Sequence, residues 1–136
     1  MAPRYRDWLE QAKRDLSHAR ESIILEHFEW ACFAAQQAAE KAAKALHLRL
    51  GTVVWGHSVF ELLDGLPANL RPDTALLEHG KVLDRFYIPP RYANAHPAGP
   101  PYRYYLRADA EQAIAAAKEV IAYCEHHILQ TRTESD

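Results

Sequence analysis

Apolar residues in this chain recur at intervals of three and four, and this spacing is the feature that most limits the fold. Between residues 28 and 50 they form one continuous stripe, made of Phe28, Cys32, Ala35, Ala39, Ala42, Leu46 and Leu50. A repeat near 3.6 residues places such positions on one face of an α-helix. Most of this stripe is alanine, so the pattern predicts a helix over 28–50 that another helix can approach closely.

The same spacing predicts four more helices. Residues 4–25 and a segment that begins near Ala108 or Asp109 are long, whereas 56–63 and 73–86 are short. No segment shows the sustained alternation of apolar and polar residues that marks a half-buried strand. The expected fold class is therefore all-α, an antiparallel up-and-down bundle of about five helices, three long and two short, with one long loop before the last helix. The apolar positions expected in the core of the first and last helices are Tyr5, Trp8, Leu9, Ala12, Leu16, Ala19, Ile23, Ala113, Ile114, Ala117, Val120, Ile121, Cys124 and Ile128.

Length and composition narrow the class of protein. A chain of 136 residues is expected to form a single helical domain over 1–130, followed by a polar tail over 131–136. Its net charge of −2 does not suit a general nucleic-acid binder, so phosphate recognition would need a local basic patch. No apolar run is long enough to span a membrane, and the two cysteines form no CxxC pattern, which indicates a cytoplasmic protein. The histidines lack zinc-site spacing, and we expect no metal and no cofactor.

One segment differs from the alanine-rich helices around it. Residues 83–105, LDRFYIPPRYANAHPAGPPYRYY, hold five of the seven tyrosines and five of the eight prolines. A structureless connection of this length is uncommon in a compact domain, where such loops are usually functional or disordered. Disordered segments are poor in aromatic residues. The segment is therefore expected to be an ordered loop with a function.

The side chains of this loop suit nucleotide chemistry. A guanidinium fork binds phosphate, and a tyrosine ring offers a face on which a base can stack. The pattern therefore indicates a nucleotide- or phosphate-binding surface made of Arg85, Arg91, Tyr92, Arg103 and Tyr104. Two structural alternatives stay open. Arg91 could be a clamp that pins the loop to the bundle, and the tyrosines could pack the loop or form dimer contacts.

Outside the loop, two further polar positions draw notice. His57 stands where the short helix over 56–63 begins, and a capping or packing role is favoured there over a role as a ligand-binding residue. Glu40 is spaced helically with Gln36 and Lys44, which favours a solvated or interhelical hydrogen-bonded face over acid–base catalysis.

Three segments together resemble the HEPN domain family: WACFAAQQAAEKAAKALHL over 30–48, GHSVFELL over 56–63 and LDRFYIPPRY over 83–92. With the spacing of Trp8, Ala12 and Asp15-Leu16 in the first helix, the likeness covers nearly the whole chain and points to the small stand-alone prokaryotic members. It implies an antiparallel helical bundle that forms a homodimer and binds a nucleotide or RNA. Many members are encoded beside a minimal nucleotidyltransferase, so the resemblance also implies such a partner, in a toxin–antitoxin-like pair.

The same resemblance implies an alternative function. Ribonuclease members of the family carry an arginine, four to six further residues and a histidine, and Arg91 and His96 satisfy that spacing. In a metal-independent ribonuclease toxin, His96 would transfer protons and Arg91 would stabilise charge on the scissile phosphate. A third possibility is a non-catalytic structural or interaction protein whose loop serves a dimer.

Overall fold

A computed structural model describes residues 4–131, and within this range the chain forms five α-helices and no strand. The helices are α1 Tyr5–Ile24, α2 Phe28–Arg49, α3 Val59–Asp64, α4 Thr74–Asp84 and α5 Arg107–Gln130. Three short 3₁₀ turns, Ala68–Leu70, Ala93–Ala95 and Pro101–Tyr104, lie in the connections. The expected all-α class, with three long and two short helices, is confirmed. Of the expected polar tail, residues 132–136 lie outside the described range.

The ends of α1 and α2 are set by residues in the left-handed backbone region. Glu26 has φ +62°, and Gly51 has φ +86°. In each case the residue that follows donates its N–H back into the last turn: His27 to the Ser22 carbonyl at 2.8 Å and Thr52 to the His47 carbonyl at 2.9 Å. This is the Schellman arrangement, which satisfies carbonyls that the helix leaves unpaired. The tight turn at Glu26 places α1 and α2 side by side and antiparallel.

The three long helices form the body of the bundle, with α2 at its centre. α2 packs against α1, α5 and the α3–α4 pair, so it is buried on more than the single stripe that its spacing indicated. The side chains on its other faces are small enough for this, because alanine also occupies Ala31, Ala34, Ala38, Ala43 and Ala45, all buried. The apolar positions expected from the sequence are buried or packed against the core.

The two short helices cross closely, and Gly80 allows it. A Cβ atom at this position would lie 2.9 Å from both the Cα and the nitrogen of Phe60 on α3. At the end of α4, the carboxylate of Asp84 accepts the Val59 N–H at 2.6 Å and the Ser58 hydroxyl at 2.6 Å. These contacts hold the start of α3 against the end of α4.

The observed helix bounds differ slightly from the expected ones. α3 begins at Val59 rather than at residue 56, because the Ser58 side chain caps it by accepting the Glu61 N–H at 3.1 Å. α4 is shorter than the expected 73–86, and α5 begins at Arg107. None of the helices within residues 4–131 is long and apolar enough to cross a membrane.

Candidate functional site

The connection between α4 and α5, residues 85–106, is packed against the bundle. Pro90 is fully buried, and Phe86 is buried with its ring edge-on to that of Tyr105, at 6.3 Å between centres. The two 3₁₀ turns that begin at Ala93 and Pro101 shorten the structureless stretch that the sequence suggested. The loop thus presents its remaining side chains from a fixed base.

Arg91 lies among aromatic rings. Its guanidinium carbon is 4.1 Å from the centre of the Phe33 ring on α2, 4.7 Å from that of Tyr87 and 5.2 Å from that of Tyr92. Its Nε donates to the Tyr87 carbonyl at 2.8 Å. Cation–π contacts and this hydrogen bond together fix the plane of the guanidinium.

Arg91 is partly exposed, and its two terminal nitrogens have no partner among the described residues. Neither makes a hydrogen bond or an ion pair with any residue in 4–131, and no buried side-chain nitrogen or oxygen in this range lacks a partner. In this geometry Arg91 can therefore pin the loop and bind a ligand at the same time. One N–H holds the loop, and the Nη groups remain free to bind an anion.

Positive charge is concentrated in this part of the chain. Residues 85–108 contain four arginines and neither aspartate nor glutamate, within a chain of net charge −2. Arg85 is exposed and has no ion-pair partner among the described residues. The guanidinium carbon of Arg103 lies 6.0 Å from the centre of the Tyr102 ring. The ion pair of Arg107 with Glu26 is long, with 3.8 Å between Nη2 and Oε1, and both side chains are largely exposed. This local excess of basic residues is not visible in the overall charge.

His96 faces the loop itself. Its Nε2 is 2.7 Å from the Pro89 carbonyl, and its ring stacks on Tyr104 with centres 4.3 Å apart. Because a carbonyl only accepts, Nε2 carries a proton and donates it. The Tyr104 hydroxyl donates in turn to the Ala98 carbonyl. No hydrogen bond or ring contact among residues 4–131 joins His96 to Arg91, so the two residues of the ribonuclease spacing have separate partners.

The exposed loop tyrosines complete the surface. Tyr92 and Tyr104 are 48% and 41% exposed, so each ring keeps part of a face open to a ligand. Trp30, on α2, is also exposed, and its ring meets Phe33 edge-on at 6.2 Å between centres. Of these side chains, Tyr92 lies beside Arg91, Trp30 contacts the Phe33 ring, and Tyr104 lies against His96.

Contributors to this site that were absent from the set expected on sequence grounds include Phe33, Tyr87 and His57. Phe33 lies off the apolar stripe of α2. The sequence could have pointed to it, because a large aromatic residue outside the buried face of an alanine-rich helix is unusual. His57 does not cap α3, since Ser58 does so; instead its ring stacks on Tyr87, with centres 4.5 Å apart. Its Nδ1 lies 3.1 Å from a carboxylate oxygen of Glu40.

The cysteines are separate from this site. Burial raises the pKa of the Cys32 thiol to about 12, with a further contribution from the Asp109 and Glu29 carboxylates. Burial alone raises the pKa of Cys124 to about 12. Both thiols are therefore neutral near pH 7 and act as small apolar side chains. In the part of the chain that the structure describes, no three His, Cys, Asp or Glu side chains are arranged to hold a metal ion.

Comparison with known proteins gives one consistent result. The family model of the HEPN domain matches residues 5–127. TT1696 from Thermus thermophilus is 52% identical, with a TM-score of 0.90. ST0689, an archaeal HEPN homologue, and the HEPN domain protein TM0613 from Thermotoga maritima are each 36% identical, with TM-scores of 0.79 and 0.72. Each likeness covers 93% of this chain and 99% of the other. No curated protein sequence matches the chain at a significant level.

Proposed function

The chain belongs to the HEPN domain family, and we propose that this member is a nucleotide- or RNA-binding helical module that acts with a separately encoded nucleotidyltransferase. The observation that carries the proposal is the environment of Arg91. Its guanidinium is oriented by three rings and one carbonyl but pairs with no carboxylate among residues 4–131. A fixed, unpaired guanidinium with accessible Nη groups is suited to binding phosphate.

The rest of the loop supports the same chemistry. Arg85 and Arg103 add positive charge, and no acidic side chain lies between residues 85 and 108 to repel an anion. The exposed rings of Tyr92 and Tyr104 can stack on bases, an interaction that does not depend on base identity. The ligand class is therefore a nucleotide, either free or within a single strand.

Exposed apolar side chains support contact with protein partners. Of the eleven large apolar side chains exposed within residues 4–131, eight lie in or beside the loop and the α1–α2 turn: Ile24, Leu25, Trp30, Ile88, Tyr92, Tyr102, Tyr104 and Leu106. Clusters of this kind mark interaction surfaces. The proposal therefore includes a homodimer, with the nucleotidyltransferase as a second protein partner.

The proposal is tested by titrating ATP and a short single-stranded RNA against three proteins: wild type, Arg91→Ala and Arg20→Ala. Arg20 is an exposed arginine on α1, outside the loop, so its variant removes the same charge elsewhere. Binding by wild type should weaken as salt rises, since each neutralised phosphate releases counterions. Arg91→Ala should bind about 10-fold more weakly or worse, the usual scale for a charge-assisted hydrogen bond. Arg20→Ala should match wild type.

Two results would contradict the proposal. The first is no binding of either ligand by wild type at low salt. The second is equal binding by wild type and Arg91→Ala. If either is accompanied by a large drop in the melting temperature of Arg91→Ala, Arg91 is a structural clamp and the loop serves the fold.

Metal-independent RNA cleavage by Arg91 and His96 is the second candidate. It is supported less well, because the Nε2 of His96 donates to the Pro89 carbonyl and cannot accept a proton while it does so. Nδ1 has no partner among the described residues, and cleavage would have to use that atom. RNA incubated with the protein in EDTA tests this candidate, and the absence of cleavage removes it.

A further inference from the structure

A second ionisable side chain reaches the ring that Arg91 contacts. The ring of His57 stacks on that of Tyr87, with centres 4.5 Å apart and planes 16° apart. The guanidinium carbon of Arg91 lies 4.7 Å from the centre of the same Tyr87 ring. The imidazole and the guanidinium are therefore separated by no more than these two distances together. Neighbouring phosphates of one nucleotide can bridge such a gap.

His57 is oriented by a buried carboxylate. Its Nδ1 lies 3.1 Å from Oε1 of Glu40, a residue that is only 4% exposed. Glu40 also accepts from the Gln36 amide at 3.2 Å and from the Lys44 ammonium at 3.1 Å. Because an ionised carboxylate can only accept, Nδ1 carries a proton, and Nε2 is the nitrogen left for another partner.

The remaining nitrogen of His57 is available. The side chain is 54% exposed, and Nε2 makes no hydrogen bond with any residue in 4–131. A purely structural role, pinning the segment before α3 to α2, would need only the bond from Nδ1. An imidazole fixed through one nitrogen and open at the other presents a hydrogen-bonding group to a ligand.

We propose that His57 is a second phosphate-contacting residue of the Arg91 site, and that Glu40 positions it. This inference rests on the proposed function, because both concern the same ligand. The chemistry recognised is the phosphate of a nucleotide, either free or in an RNA strand. A protonated imidazole donates from Nε2 and adds a positive charge beside that of Arg91.

Protonation makes this contact dependent on pH. The charged groups around His57 are Glu40 and Lys44 on α2, Asp84 at the end of α4 and Arg91 in the loop. A phosphate at Nε2 favours the imidazolium, because only that form donates from both ring nitrogens. Histidine side chains gain their charge as the pH is lowered from about 8 to about 5. Phosphate binding should therefore strengthen over that range.

The test compares wild type, His57→Asn and His126→Asn. The amide nitrogen of asparagine can take the place of Nδ1 and keep the bond to Glu40, but asparagine has no atom at the position of Nε2. His126 is an exposed histidine on α5 and serves as the matched control. The affinities for ATP and for a short single-stranded RNA are measured at about pH 8 and about pH 6, at constant ionic strength.

At the lower pH, His57→Asn should bind about 10-fold more weakly than wild type or the control, since it lacks one charge-assisted hydrogen bond. At the higher pH the difference should shrink. Titration of the ligand's own phosphate is common to all three proteins and cancels in the comparison. A loss seen only with ATP assigns the contact to a free nucleotide, and a loss seen only with RNA assigns it to a strand.

Identical affinities and pH profiles for wild type and His57→Asn would overturn this inference and leave the proposed function standing. No binding by wild type would overturn the proposed function and this inference with it. If His57→Asn melts at a lower temperature than wild type, the nitrogen chemical shift of His57 Nε2 in the wild-type protein gives a second readout. Ligand should move that resonance, and a resonance that stays in place would also overturn the inference.

Discussion

The guanidinium carbon of Arg91 lies 4.1 Å from the centre of the Phe33 ring, and this contact joins the loop to the surface of α2. The ring lies in a helix and the arginine in a loop, so the helix supplies the rigid half of the pair. With the Tyr87 carbonyl held by Nε at 2.8 Å, the guanidinium has little freedom to rotate. A cation held in this way loses little further entropy when it binds an anion.

Phe33→Leu should weaken nucleotide binding without removing any group that contacts the ligand. The leucine keeps an apolar side chain but not the ring face, so the guanidinium is held less firmly. A cation–π contact of this kind contributes about 0.5–1 kcal/mol, which corresponds to an affinity about 2- to 5-fold lower. Phe60→Leu is the control. The Phe60 ring also lies under a cation, with the Lys81 nitrogen 4.9 Å from its centre, but Phe60 belongs to α3. Equal affinities for the two variants would show that the ring does not orient Arg91.

His96→Ala should lower the stability of the fold. The change leaves the Pro89 carbonyl without its donor and removes the ring stacked on Tyr104. We expect the free energy of unfolding in urea to fall by about 1–3 kcal/mol, the usual range for a lost hydrogen bond of a partly buried group. Asn94→Ala, at an exposed position in the same loop, should change it by less than about 0.5 kcal/mol. Unchanged stability combined with RNA cleavage that disappears in His96→Ala would instead favour catalysis.

Gly80→Ala should separate α3 from α4. The new Cβ would lie 2.9 Å from backbone atoms of Phe60, and a backbone cannot yield as a flexible side chain can. Overpacking of this kind lowers the free energy of unfolding by about 1–3 kcal/mol. The free energy of unfolding is measured in urea for wild type, Gly80→Ala and the control Glu78→Ala. Glu78 is exposed on the same helix. A variant as stable as wild type would mean that the crossing of the two helices has more room than this geometry allows.

The buried thiols should make stability fall at alkaline pH. The pKa of Cys32 and that of Cys124 are raised from 9.0 to about 12 in the folded protein. The unfolded chain therefore releases these protons near pH 9, whereas the folded chain keeps them. The stabilisation is fully present below about pH 9 and is lost as the pH rises towards 12.

This pH dependence is checked by comparing urea titrations at about pH 8 and about pH 10 for wild type and for the Cys32→Ala, Cys124→Ala double variant. The double variant should be less stable at both values because of the lost packing, but its stability should fall less between them. Parallel losses in the two proteins would show that the thiols do not contribute. Native cysteines should also react slowly with thiol reagents at neutral pH, since the thiolate is the reactive form.

Light scattering at micromolar concentration should give a mass of twice the 15.5 kDa chain. Ile88 is 45% exposed within the apolar cluster near the loop, and Ile88→Lys should shift the protein towards the monomer. Leu129→Lys is the control, because Leu129 is 75% exposed near the end of α5. A monomer mass for wild type would contradict the homodimer.

Most of the fold followed from patterns among neighbouring residues. The alanine stripe predicted α2 to within one residue of its observed end at Arg49. Gly51 follows that end, and glycine readily adopts the positive φ found there. The sequence also indicated which loop gathers arginine and tyrosine. It could not show that α2 would be buried on several faces, because that depends on which helices pack around it.

The amino-acid sequence alone determined the helices, one buried face of each long helix and the loop that carries the charge, because periodicity, capping and turn chemistry act between residues a few positions apart. Only the tertiary structure decided which contacts that loop makes. It placed Phe33 under Arg91, turned His96 towards the Pro89 carbonyl and brought His57 between Glu40 and Tyr87. These contacts join segments far apart in the chain, and the packing of the whole bundle, rather than any local preference, sets which of them form.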